Sequence, residues 1–143
     1  MVDRYVSPPV ELPDPEVKFT RADLVFYGVD HSGSSFEADI YFGAKAGSGP
    51  DDPSYAGSFW IFGHGGCFGD IGHCDIPAER DPFDLRPPHQ LEPAVRILTV
   101  TEPVEALLGR GVEAAKVTVT ARTAGRTPAD VLAFEKVRLM TYA

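Results

Sequence analysis

The strongest constraint on the fold comes from residues 35–43, SFEADIYFG, in which the side chains alternate between two sets. Successive side chains of a β-strand point to opposite faces of the sheet, whereas those of a helix return to one face about every 3.6 residues. A period of two therefore predicts a strand with one face on a hydrophobic core. One set is Phe36, Ala38, Ile40 and Phe42, and the other is Glu37, Asp39 and Tyr41.

Five further segments have strand character, because they are rich in β-branched and aromatic residues and are bounded by turn-forming residues. They are residues 22–29, 55–63, 94–101, 115–122 and 130–143. The segment TEPVEALLGRG, residues 101–111, predicts one short helix with Thr101 as its N-cap. These elements predict an all-β fold, an antiparallel β-sandwich or barrel of about six to seven strands with one short helix.

Prolines mark two segments that lie outside this pattern. Four of the first 17 residues are prolines, which predicts an extended N-terminal arm. Residues 76–93 hold five prolines without periodicity, and a long loop of this kind inside a compact domain is often functional. Because no linker divides the remainder, residues 18–143 are predicted to form a single β-sandwich domain.

Charge and hydropathy narrow the possible partners and location. The formal net charge of −8 argues against nucleic acid or an anionic membrane as the main partner. No apolar run approaches the length of about 18 residues that a membrane span requires. The first residues lack the pattern of a signal peptide, so the chain is expected to be cytoplasmic, although secretion of a trimmed form stays open.

The stretch GHGGCFGDIGHCD, residues 63–75, contains both cysteines of the chain and two of its four histidines. Thiolate and imidazole together suit zinc or reduced copper, which favour soft or borderline donors. Five glycines in the stretch allow the backbone to fold back, so that ligands only a few residues apart can converge on one ion. The predicted metal ligands are His64, Cys67, His73 and Cys74, with copper or zinc as the bound ion.

Three other interpretations of this stretch stay open. Cys67 and Cys74 can form a disulfide if their α-carbons approach within about 7 Å. Alternatively, the cysteines are buried as small apolar residues and the histidines bind loop carbonyls. In the third interpretation the stretch is a protein contact surface, in which Phe68 and Ile71 are the active residues.

Two further features concern the ends of the predicted strands. His31 lies in the segment DHSGSS, which predicts a turn in which Asp30 and the serines satisfy backbone groups. In the segment FWIF, residues 59–62, one alternate pair of side chains must face away from the nearer core. If that face is uncovered it forms an interface, for a partner or for a homo-oligomer.

Three segments carry a resemblance to a known family: YAGSFWIFG, RILTVTEPVEALLGRG and AKVTVTARTAG. With the leading pair of strands, they resemble the C-terminal β-sandwich domain of type-3 copper proteins, which are tyrosinases, polyphenol oxidases and molluscan haemocyanins. The resemblance covers roughly residues 18–143 and implies a sandwich domain that covers the copper site of a catalytic domain or assists its copper loading.

The resemblance does not imply oxidase activity in this chain. The family's two coppers lie in a separate helical bundle, and each is held by three histidines. The chain has only four histidines, His31, His64, His73 and His89. Because a type-3 copper centre needs six, the chain cannot form one by itself.

The leading functional hypothesis is therefore a non-catalytic binding module that caps, or supplies copper to, a type-3 copper oxidase partner through the Cys/His loop. One alternative is a small metal-dependent enzyme that uses the same loop site, since a metal with an open coordination position activates water. The other is a structural interaction subunit with a Cys67–Cys74 disulfide.

Overall fold

The computed structural model describes residues 3–43, 49–64, 82–83, 93–123 and 131–143. These residues form nine strands and one helix. The elements in chain order are β1 (Arg4–Val6), β2 (Val10–Glu11), β3 (Arg21–Val29), β4 (Phe36–Phe42), β5 (Tyr55–Ile61), β6 (Ala94–Thr99), α1 (Thr101–Gly109), β7 (Ala114–Ala115), β8 (Val117–Thr123) and β9 (Lys136–Tyr142).

The described strands pair into three antiparallel sheets. The larger one has four strands in the order β1-β8-β4-β5, and a second has three in the order β6-β3-β9. A short third sheet joins β2 to β7. The six longer strands, β3 to β6, β8 and β9, correspond to the six predicted strand segments, and the sandwich prediction is confirmed.

The core lies between the four-stranded and three-stranded sheets. Apolar side chains of both sheets belong to one buried cluster, with Leu24 and Phe26 from β3 and Phe36 and Ile40 from β4. The rings of Phe26 and Phe59 join the two sheets, with their centroids 5.2 Å apart. The alternation predicted for β4 is confirmed on the inner face, where all four apolar side chains are buried.

Tyr41, on the outer face of β4, is also buried although its position in the alternation is outward. Its hydroxyl accepts a hydrogen bond from the Gly49 backbone N–H at 3.0 Å, and its ring makes an edge contact with Tyr55. Gly49, in the connection between β4 and β5, thus contacts this part of the outer face. Strand periodicity alone does not anticipate such cover, because it reports only the side of the sheet.

Helix α1 is present as predicted, but Thr101 is not its N-cap. The N-cap is Val100, and Thr101 is the first helical residue. The Thr101 hydroxyl instead accepts a hydrogen bond from the Ala22 backbone N–H at 3.1 Å, which ties the helix to β3. Val104 and Leu107 are buried beneath the helix and form its packing face.

The N-terminal segment contributes two short strands to the sheets. It supplies β1, which pairs with β8, and β2, which pairs with β7. Ser7 strengthens this attachment, since its hydroxyl accepts a hydrogen bond from the Val117 backbone N–H at 2.9 Å. The predicted loop 76–93 lies largely outside the described residues. Within the described ranges, no helix has the length and apolar character needed to cross a bilayer.

Candidate functional site

Strand β5 presents two contrasting faces. Phe59 and Ile61 lie opposite Ala38 and Phe36 of β4 and face the core, where Ile61 is only 1% exposed. On the outer side, Trp60 is 61% exposed, and Phe62, which follows the strand, is 80% exposed. The prediction that one aromatic pair of this segment faces away from the core is confirmed, and the pair is Trp60 and Phe62. Among the described strands β5 is the last in its sheet, so these side chains lie at a sheet edge.

The end of β5 is fixed against the turn between β3 and β4. The backbone N–H of Gly63 donates to the Ser35 hydroxyl at 2.9 Å, and that of His64 donates to the carbonyl of His31 at 2.8 Å. A Cβ at position 63 would overlap the backbone of Gly33, Ser34 and Ser35. Only glycine therefore permits this approach of the two backbones.

The same approach brings two imidazoles together. The Nδ1 atoms of His31 and His64 lie 3.1 Å apart, and the two rings meet edge to face with their centroids at 5.0 Å. A hydrogen bond between two neutral imidazoles at this distance requires one Nδ1 to be protonated and the other to accept. Both residues are partly exposed, so this histidine pair is open to solvent on at least one side.

The turn that carries His31 has the local hydrogen bonds predicted from its sequence. The Asp30 carboxylate accepts the Ser32 backbone N–H at 2.7 Å. The pKa of Asp30 is held below its usual value, chiefly by the hydrogen bond from the Ser32 side chain and further by the nearby charge of His31. The prediction of a turn in which Asp30 and the serines satisfy backbone groups is confirmed. It was incomplete, because it did not place His31 beside His64.

A charged cluster lies on the outer face of the four-stranded sheet, beside Trp60. Trp60 is paired across the strands with Glu37, and Glu37 with Arg122. The Arg122 guanidinium contacts both oxygens of Asp39, at 2.7 and 3.2 Å, and one oxygen of Glu37 at 2.8 Å. Asp39 is only 3% exposed, so its charge is compensated within the sheet rather than by water. The pKa of Arg122 is raised, first by its hydrogen bond to Asp39.

The structure describes one of the four predicted metal ligands, His64. Cys67, His73 and Cys74 lie outside the described residues, as does His89. Within the ranges that the structure does describe, no three histidine, cysteine, aspartate or glutamate side chains are grouped so that they could hold a metal ion.

Comparison with solved structures shows the same overall fold over nearly the whole chain. Latent aurone synthase from its natural source, a polyphenol oxidase, matches with a TM-score of 0.61 and 17% identity, over 98% of this chain and 24% of its own. The recombinant form of that enzyme gives a TM-score of 0.58 at 18% identity, with the same coverage. Latent apple tyrosinase gives 0.62 at 15% identity, over 99% of this chain and 26% of its own.

Comparison at the level of sequence gives no match. No protein-family model matches the chain, and no curated protein matches it either. At identities below 20%, the structural matches establish the fold. The chain spans about a quarter of the length of the enzymes that it resembles. It therefore has the fold of a β-structured segment of polyphenol oxidases and tyrosinases, consistent with the C-terminal β-domain of type-3 copper proteins.

Proposed function

We propose that this protein is a non-catalytic binding module that covers the catalytic domain of a type-3 copper oxidase. The observation that carries the proposal is the asymmetry of the structural matches: nearly all of this chain corresponds to about a quarter of each oxidase. Two of the matched proteins are described as latent, and a domain that covers a copper site is one physical basis for latency. We infer that the present chain acts in the same way on a catalytic domain that it does not itself contain.

The outer end of β5 is the surface that best suits such a contact. Trp60 and Phe62 form an exposed aromatic patch, hereafter the β5 patch. The other exposed large apolar side chains in the described residues are scattered and comprise two aromatic residues, Phe83 and Tyr142, together with valines, Ile97 and Met140. Aromatic side chains dominate the energetics of protein interfaces, because they bury a large area at low cost in conformational entropy. The charged cluster of Arg122, Glu37 and Asp39 lies alongside and supplies a polar rim of the kind that surrounds interface anchors.

The test is a binding and inhibition titration with the type-3 copper oxidases of the source organism. Each oxidase catalytic domain is mixed with the untagged chain, and diphenol oxidation is followed with complex formation by sedimentation. We expect one catalytic domain to bind and lose activity. The Trp60→Ala, Phe62→Ala double variant should bind at least about 30-fold more weakly, since a buried tryptophan anchor contributes about 2 kcal/mol or more.

Ile97→Ala is the matched control, because Ile97 has the same exposure, 61%, on the other sheet. Equal binding by the parent and the double variant would overturn the assignment of the β5 patch. Absence of binding to every oxidase would overturn the function itself. Self-association of the chain alone, abolished by the double variant, would assign the patch to a homo-oligomer instead.

Copper supply is the finer part of the proposal. The chain would hold copper, or zinc in its place, through His64, Cys67, His73 and Cys74, and release it to the oxidase by ligand exchange. Few, soft ligands suit reduced copper. Elemental analysis of the purified untagged protein, with a thiol titration, tests this part. A Cys67→Ala, Cys74→Ala variant that binds reduced copper as tightly as the parent would contradict it.

A further inference from the structure

The histidine pair at the end of β5 joins parts of the chain that are distant in sequence. His31 follows β3, and His64 follows β5, so 33 residues separate them. Their side chains nevertheless meet Nδ1 to Nδ1 at 3.1 Å. The pair depends on a backbone arrangement that tolerates only glycine at position 63. Its geometry is therefore built into the β3–β4 turn and the end of β5.

The spacing of the two nitrogens is close to that of two ligands on one metal ion. Imidazole nitrogens bind Zn²⁺ at about 2.0–2.1 Å, so two of them on one tetrahedral ion lie about 3.3–3.4 Å apart. The observed 3.1 Å differs from that value by a few tenths of an ångström, which small rotations of the two rings can supply. The backbone hydrogen bond from His64 to His31 holds the main chain in place during such a rotation.

Access and local charge also favour a cation. Both histidines are partly exposed, so an ion can reach the pair from solvent. Asp30 lies next to His31 in the chain, so a carboxylate side chain is close to the pair. Neutral imidazole is a good ligand for first-row divalent ions, and copper(II) binds most tightly in that series.

We propose that His31 and His64 form a two-imidazole site for a divalent copper or zinc ion, bound through both Nδ1 atoms. This site needs neither cysteine and no oxidase partner, but it shares His64 with the ligand set proposed for the Cys/His loop. It also gives His31 a role as a metal ligand, whereas the ligands predicted for the Cys/His loop do not include His31.

The test uses the untagged full chain carrying Cys67→Ser and Cys74→Ser, so that thiols neither bind nor reduce the ion. Copper(II) sulfate is titrated and followed by electron paramagnetic resonance, whose nitrogen hyperfine pattern counts the bound imidazoles. Zinc chloride is titrated in parallel into ¹⁵N-labelled protein, and long-range ¹H–¹⁵N spectra of the imidazoles identify the nitrogen that binds. We expect one equivalent of metal, two nitrogens and shifts at the Nδ1 atoms of His31 and His64.

Matched histidine variants separate this site from any other. His31→Gln and His64→Gln should each lower the affinity at least tenfold, since even the outer partners of metal ligands are worth about 10–100-fold. His89→Gln should leave it unchanged. Thermal unfolding without metal checks that each variant is folded.

The outcomes also distinguish this site from the cysteine site. Unchanged affinity in His31→Gln would overturn the inference, as would the absence of stoichiometric binding. Copper(II) binding that survives the cysteine substitutions but is lost with His31→Gln supports the pair, even if reduced copper never binds the Cys/His loop. Loss of all metal binding with the cysteines alone would support that loop and overturn the pair.

Discussion

The inner and outer faces of β5 differ strongly in exposure to solvent. Ile61, on the inner face, is enclosed by the core, while its neighbours Trp60 and Phe62 are mostly exposed. A single strand thus contributes a packed face and an uncovered aromatic face, separated by one step of the pleat. The contrast indicates that the inner residues stabilise the sandwich and that the outer ones are available for a partner. Mutations on the inner face should therefore lower stability, and mutations on the outer face should lower binding.

The largest expected loss of stability is on the inner face. Ile61→Ala removes a buried aliphatic side chain from the core cluster and should lower the free energy of unfolding by about 2–5 kcal/mol. Trp60→Ala, its neighbour, should cost less than about 1 kcal/mol, the span of strand propensity at exposed positions. Urea unfolding of both variants measures the difference. Similar losses in the two variants would mean that Trp60 is packed and that the two faces do not differ as described.

The next prediction concerns the junction where the outer face meets the histidine pair. Gly63→Ala should cost about 1–3 kcal/mol, as overpacking does, because the new Cβ overlaps the backbone of the β3–β4 turn. The same change should disturb the contact between His31 and His64. Gly33→Ala is the control, since a Cβ there meets nothing within 4 Å. If thermal and urea unfolding show Gly63→Ala to be as stable as the parent, the close approach of the Gly63 backbone to the β3–β4 turn is not needed for stability.

Disrupting the charged cluster beside Trp60 should lower the free energy of unfolding slightly less than Gly63→Ala does. Arg122→Ala leaves the buried carboxylate of Asp39 without its bidentate partner and should cost about 1–3 kcal/mol. Because the guanidinium itself is partly exposed, solvent screening keeps the loss in the lower part of that range. A double-mutant cycle with Asp39→Asn isolates the pair: Arg122→Ala should cost less in that background. Equal costs in both backgrounds would show that the two residues are not coupled.

The smallest effect is expected at Asp30, in the exposed turn. The pKa of Asp30 in the folded protein lies below its ordinary value of 3.8, so the carboxylate contributes stability above that pH. This contribution is lost as the pH falls through the folded-state pKa. Asp30→Asn should therefore be less stable than the parent at neutral pH by under about 0.5 kcal/mol, as is usual at the surface. Urea unfolding at pH 7 and at low pH checks that the difference disappears in acid.

The fold could be predicted from the sequence largely because local patterns and global packing agree. The alternation in β4 and the apolar character of β5 specify strands, and the apolar face of residues 101–111 specifies a helix, before any partner is known. The prediction of Thr101 as the N-cap was wrong. Its hydroxyl instead accepts a hydrogen bond from the backbone N–H of Ala22, which lies on β3. A tertiary hydrogen bond of this kind leaves no trace in the local sequence.

The site depends on strand register, which the sequence specifies less directly. His31 meets His64 because β4 and β5 pair antiparallel, so that the residues before one strand lie near those after the other. The pairing of Phe36 with Ile61 would have predicted that the two histidines are close. That pairing is hard to predict from sequence, because 12 residues connect β4 to β5 and the register shifts after Ile40. The burial of Asp39 likewise depends on Arg122, on a strand more than 80 residues away. The cysteine ligands stay a prediction.

The central claim is that the outer face of β5 is the surface covered by a type-3 copper catalytic domain. Trp60 is the only tryptophan of the chain, so 5-fluorotryptophan places a single ¹⁹F label at that surface. The ¹⁹F signal is measured with a soluble paramagnetic relaxation agent, before and after saturation with an oxidase domain shown by sedimentation to bind. We predict strong relaxation in the free chain and protection in the complex. A Trp60 signal that stays equally accessible in the complex would contradict the account.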